Sequence, residues 1–167
     1  MGRYRPPRPY SSPYITLAGK VMLEDELRFL GYTKRPEVTK ALAAAAAEGD
    51  RSENAEYIYR KKQLREIDSR LQYLVKRLEK LTCVDQKPDD ESKVFFAAWV
   101  ILEDEDGAEL TYRLVGPDET DAKKGWISID SPVAKALLKK QVGDEVAVKT
   151  PSSDVYYEIM AIHYDEP

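Results

Sequence analysis

The sequence predicts an α+β protein in two modules, an N-terminal antiparallel α-helical coiled-coil hairpin followed by a mostly antiparallel sheet with one covering helix. Three observations predict this. Leu64, Ile67, Leu71, Leu74, Leu78 and Leu81 step by 3, 4, 3, 4 and 3 residues, a heptad seam that requires a partner helix. From Lys93 the apolar period shortens, and "KVFFAAWVIL" and "AELTYRLVG" read as strands joined by the hairpin signal Asp106-Gly107. The charge divides at the same place: net +2 over residues 1–53 and net +4 over 54–81, against net −10 over 89–167. A whole-chain charge of −4 thus conceals two modules suited to different partners.

The elements follow in order. Residues 1–14, "MGRYRPPRPYSSPY", hold four prolines and three arginines (Arg3, Arg5, Arg8) and read as a disordered basic arm. The arm lacks the apolar stretch of a signal peptide and is either a solvated leader or a contact for an acidic partner. The hairpin module occupies residues 15–84. Thr16 is the expected N-cap of its first helix, with Leu17, Leu23, Leu27 and Leu30 on one face. Gly31 and Pro36 predict a kink or break at 31–36. Val38, Leu42 and the alanines 43–47 then resume the helix, which stops at Gly49. Two arms of about 30 residues make a rod of roughly 45 Å, with segment 48–53 at its tip.

A linker, "DQKPDDES", spans residues 85–92. The second module, residues 93–167, adds "GWISI" as a strand and "SPVAKALLKK" as a helix with Ser131 at the N-cap and Pro132 at its first position. A turn at Gly143-Asp144 leads to "EVAVKT", and "VYYEIMAIHY" closes the sheet.

Composition excludes several functions. A single cysteine, Cys83, rules out an internal disulfide and a zinc site built on cysteines, and suits the cytoplasm. No apolar run approaches the roughly 20 residues of a membrane span. No glycine loop cradles phosphate. The one histidine, His163, lies in a strand-like segment, and nothing builds a self-contained active site.

Two features carry chemistry. Asp50-Arg51-Ser52-Glu53 fits a capping box, with Asp50 as N-cap and Glu53 reaching back from N3. The same two carboxylates are oxygen ligands for a divalent cation, but two ligands make a weak site unless another molecule supplies the rest. Both readings stand on the residues alone. Just beyond the tip, Arg51, Arg60, Lys61, Lys62 and Arg65 gather around Tyr57 and Tyr59. They form either a solvated coiled-coil face, paired with acids such as Glu66 and Asp68, or a contact for a phosphate backbone.

The residues resemble a known family. "RPEVTKALAAAAAEGDRSENAEYIYRKKQLREIDSRLQYL" resembles the N-terminal hairpin of the bacterial Gre transcript cleavage factors, with "GDRSENAEY" as the tip signature. "KVFFAAWV", "ISIDSPVAKALLKKQVGDEV" and the closing strand resemble their C-terminal FKBP-type α+β domain. The likeness covers about residues 14–165, and "YRKKQLREIDSR" is more similar to the GreB branch than to GreA.

The resemblance implies that the hairpin enters the secondary channel of RNA polymerase when transcription has backtracked. Asp50 and Glu53 would then help hold an Mg²⁺ shared with the polymerase, whose own active site hydrolyses the transcript. It implies further that Arg51, Arg60, Lys61, Lys62 and Arg65 contact the extruded 3′ RNA. Asp130, Ser131 and Pro132 match the segment that docks on the polymerase rim, although capping alone also explains Ser131 and Pro132. The expectation is a monomeric, cytoplasmic accessory factor, not an enzyme by itself, with no cofactor of its own and no isomerase activity. Two rivals are a channel-binding inhibitor without cleavage stimulation and a coiled-coil adaptor whose tip acids only cap a helix.

Overall fold

The computed structural model describes residues 9–166. The described chain falls into two compact units, one formed by the segment up to Gly19 together with that from Thr82 onward, the other by Lys20–Leu81. Residues 1–8 of the predicted arm lie outside the described residues.

The first helical arm begins at Thr16, whose Oγ1 accepts the Gly19 N–H at 3.1 Å, the N-cap geometry expected there. Helix α1 (Leu17–Arg28) runs through a π-helical turn (Phe29–Lys34) into helix α2 (Arg35–Ala46). The predicted interruption is therefore a change of helical register, and the arm does not break. Pro36 has no N–H, and its ring would meet the carbonyl four residues back. Widening the turn, with Arg35 N–H bonded to the Leu30 carbonyl, accommodates it.

Helix α3 (Ala55–Lys80) packs on this arm. Ile67 and Leu74 of the predicted seam are buried, and in the same unit Leu23, Val38 and Ala45 are buried from the first arm. Arg35 and Asp68 pair across the arms at 2.7 Å, and Arg70 grips Glu26 with two bonds of 2.7 and 2.9 Å. These exposed pairs contribute little stability, so the buried leucine seam supplies most of it. Leu17, expected on the seam, is instead 55% exposed.

In the other unit, strands β3 (Trp99–Asp104), β4 (Glu109–Val115), β5 (Trp126–Ser128), β6 (Glu145–Lys149) and β7 (Asp154–His163) form a sheet in the order β5-β4-β3-β7-β6. Pairing is antiparallel except between β4 and β5. Helix α4 (Pro132–Leu137) buries Ala134 and Leu137 in a core with Val100, Leu102, Leu114, Val146 and Ile159. The Asp106-Gly107 hairpin forms as expected, with Gly107 at φ 81° and Asp104 Oδ1 accepting two loop amides.

Three expectations differ from the structure. The strand read from Lys93 begins only at Trp99, because Ala97 at φ 69° turns the chain and Val94 bonds to Lys140 instead of to the sheet. The helix read through Lys140 ends at Leu137, and Lys139 at φ 66° turns out of it. Third, the hairpin boundaries at 15 and 84 enclose a short parallel pair, β1 (Tyr14–Thr16) with β2 (Thr82–Val84), that belongs to the sheet-bearing unit. Cys83 therefore sits in β2, half-buried. The end of the arm is also ordered: Ser12 is buried, and its N–H donates to Asp130 Oδ2 at 2.7 Å.

Glu119 fastens β1. It is 2% exposed, with Oε2 accepting the Thr16 N–H at 2.8 Å and the Gly116 N–H at 3.0 Å. Its Oε1 accepts the Thr16 hydroxyl. A Cβ at Gly19 would lie 2.2 Å from that Oε1, so only glycine permits the approach. Three bonds, two from Thr16 to the carboxylate and one from Gly19 to the Thr16 hydroxyl, thus hold the first turn of α1, and the Gly116 bond holds Glu119 itself.

Candidate functional site

The tip of the hairpin is the turn between α2 and α3. The alanine run ends at the C-cap Ala47, and Gly49 at φ 133° makes the reversal. Asp50 and Glu53 follow in the turn, and both are exposed.

The capping box expected from Asp50 and Glu53 does not form. The N-cap of α3 is Asn54, whose Oδ1 accepts the Tyr57 N–H at 3.0 Å, so both acids precede the helix. Asp50 turns its carboxylate to its own loop, where Oδ1 accepts the Ser52 N–H at 2.9 Å and the Ser52 hydroxyl at 2.8 Å. Asn, Asp and Ser all cap well, so a sequence offering Asp50, Ser52 and Asn54 in one turn does not say which one does.

The two Ser52 bonds hold the Asp50 carboxyl below the ordinary aspartate value of 3.8. A depressed value favours the charged form, so Asp50 stays ionised through the ordinary aspartate range and protonates only as pH falls through the lower value. Ser52→Ala removes the hydroxyl bond but keeps the stronger backbone one, so the midpoint should move only part of the way back toward 3.8, as an NMR titration of the Asp50 side-chain carbon would show. An unmoved midpoint would mean that the loop, and not Ser52, sets the charge.

Among the described residues no group of three His, Cys, Asp or Glu side chains could hold a metal ion. The tip presents two carboxylates with hard oxygen donors, the donor type that Mg²⁺ takes, and Asp50 Oδ2 is not used by the Ser52 bonds. This fits a partial ligand set that another molecule completes.

The five basic residues sort into two groups. Arg60 is tied to Glu56 at 2.7 Å and to Gln63 at 3.0 Å, and Lys62 lies 3.9 Å from Glu66. Asp68, the other acid expected to pair with the cluster, serves Arg35 instead. Arg51, Lys61 and Arg65 have no ion-pair partner among the described residues. Arg51 and Lys61 lie over the ring of Tyr57, at 5.7 and 5.8 Å from its centroid. Tyr57, Lys61 and Arg65 are spaced by 4 residues and so share one helix face, running back from the acids.

The segment Asp130-Ser131-Pro132 lies in the sheet-bearing unit. Ser131 Oγ caps α4 by accepting the Ala134 N–H at 3.2 Å, Asp130 is half-buried against Ser12, and Pro132 is exposed. His163 ends β7 and is exposed, with Trp99 as its cross-strand partner. Sequence reasoning missed Asn54, Ser52 and Glu119. The first two stand inside the quoted tip motif as polar residues flanking the acids. The third, in a polar loop, carries no periodic signal.

Known proteins resemble the chain in both of its units. GreA factor homolog 1 of Thermus thermophilus is 26% identical over 90% of this chain and 97% of its own, with a TM-score of 0.41. The transcription elongation factor GreB of Pseudomonas aeruginosa is 54% identical over 98% of both chains, and that of Xanthomonas axonopodis pv. citri is 57% identical over the same shares. Two family models match, "Transcription elongation factor, N-terminal" over residues 13–82 and "Transcription elongation factor, GreA/GreB, C-term" over residues 88–164. Matched in both halves by the family's models, the chain belongs to the GreA/GreB family of transcription elongation factors.

Proposed function

We propose that this chain stimulates the transcript-cleaving activity of bacterial RNA polymerase, with its hairpin in the secondary channel and its tip at the polymerase active site. One observation supports this reading above the others: neither Asp50 nor Glu53 caps α3, so their placement serves no helix end. An adaptor with acids that only cap would use them there.

In this reading Asp50, through Oδ2, and Glu53 are oxygen ligands to an Mg²⁺ shared with the polymerase. The bound metal supplies Lewis acidity and an activated water for hydrolysis of the phosphodiester. Asp50 is ionised at neutral pH, and the Ser52 bonds extend its charged form to lower pH. Arg51, Lys61 and Arg65, free of internal acids, face the phosphates of the extruded 3′ RNA and offset their repulsion by the tip acids. Arg60 and Lys62 contribute less, because Glu56 and Glu66 already neutralise them. Pro132 and Asp130 form part of the surface that meets the polymerase rim. The chain acts as a soluble accessory factor that supplies ligands to an enzyme and has no complete site of its own.

The test uses purified backtracked elongation complexes with end-labelled RNA and Mg²⁺. Adding the protein should release short 3′ fragments and restart elongation. A protein that binds and slows the polymerase without fragments would instead be an inhibitor. Replacing Lys61 and Arg65 with glutamine should reduce cleavage most for the longest backtracked RNAs, whereas replacing Arg60 and Lys62 should do less. Equal effects from the two pairs would count against the division drawn from the ion pairs.

A further inference from the structure

We propose that Asn54 is the positioning residue of the tip: its side-chain amide clamps the end of one arm to the start of the other and so sets where Asp50 and Glu53 stand. This inference rests on the cleavage reading for its functional consequence, but the clamp itself is a geometric feature.

Apolar burial thins toward the turn: Ala45 is the last buried residue of α2, and Ile58, early in α3, is 52% exposed. Asn54 bonds on both sides. Its Nδ2 donates to the Ala45 carbonyl at 2.8 Å, which also accepts the Glu48 N–H at 3.2 Å at the end of α2. Its Oδ1 accepts the Tyr57 N–H at 3.0 Å, one of the amides left over at the start of α3. One planar amide therefore bridges the end of α2 and the start of α3 and sets their separation. The acids lie in the chain between these anchors, so any change in separation moves them.

Asparagine is the residue this needs. Serine and aspartate cap a helix equally well but cannot place an amide N–H₂ on Ala45. Asn54→Ser keeps the cap and removes the tie without adding charge, and Asn54→Asp does the same with an added carboxylate.

Two measurements on the full chain test the clamp. The first needs no polymerase. In Asn54→Ser the Tyr57 amide should keep its protection from hydrogen exchange, because the cap survives. The amides of the turn between Ala45 and Asn54 should exchange faster, because the tie across it is gone. Unchanged exchange in the turn overturns the clamp, and so does a Tyr57 amide that loses protection, since fraying would then explain the loss.

The second measures cleavage of backtracked RNA against factor concentration. Both variants should lose about tenfold or more in rate at saturation, with the half-saturating concentration unchanged within about twofold, because only the placement of the acids has changed. A normal saturating rate, or a defect confined to half-saturation, overturns the clamp. If the unsubstituted protein releases no fragments, the cleavage reading falls, and the exchange measurement alone decides whether the clamp exists.

Discussion

Replacing Asp50 and Glu53 together with alanine should cut stimulated cleavage at saturating factor by about 100-fold or more. Loss of even an outer-shell partner of a metal typically costs about 10–100-fold, so removal of two direct ligands sets that as a lower bound. Stability should hardly change. The cap of α3 is Asn54, and Asp50 and Glu53 are exposed in a turn, so their removal should stay within about 0.5 kcal/mol. A capping role predicts the reverse, with about 1 kcal/mol lost from the helix and cleavage spared. Thermal unfolding and RNA cleavage measured on the same preparations separate the two. Normal cleavage by the double variant would sink the proposed function, whatever its stability.

The second large effect lies far along the chain from the tip. Glu119→Ala should destabilise the sheet-bearing unit by about 3 kcal/mol or more, because three donors lose their acceptor and each unsatisfied buried group costs about 1–3 kcal/mol. Glu119→Gln can keep an oxygen on the Thr16 and Gly116 amides and donate its N–H₂ to the Thr16 hydroxyl oxygen, so it should recover much of the loss. Both tryptophans, Trp99 and Trp126, lie in this unit, so denaturant unfolding followed by their fluorescence reports on it. A loss below about 1 kcal/mol would mean that water replaces the carboxylate at little cost. Gly19→Ala should mimic part of the defect, since its Cβ would displace the same Oε1.

Much of the fold was legible because it is periodic. The leucine seam announced α3, and the change of period at Lys93 announced the sheet. The interruption of the first arm was legible at Pro36, but its form was not, because sequence does not distinguish a kink from a π turn. The pair β1–β2 left no trace: two strands of three residues carry no alternation, and their pairing is non-local. Glu119 escaped for a related reason, since a buried carboxylate in a polar loop is recognised only once its donors are in place. At the tip the acids were legible as a pair, whereas their release from capping depended on a contest among Asp50, Ser52 and Asn54 that the backbone decides. The basic cluster was legible as a cluster, and its split into paired and unpaired halves followed only from where Glu56, Glu66 and Asp68 point.

The parallel pair of β1 with β2 bears on how the protein is made. Strand β1 and its anchor Glu119 belong to one folding unit, yet the whole of residues 20–81 is synthesised between them. The first strand emerging from the ribosome must wait for a partner that comes after the hairpin. Helical contacts within the hairpin are local and form early, and once formed they shorten the effective loop that the strand pair has to close. The hairpin is in this sense an insertion that helps its host domain to fold. Variants that loosen the leucine seam should therefore slow the refolding of the sheet-bearing unit even where they leave its final stability unchanged.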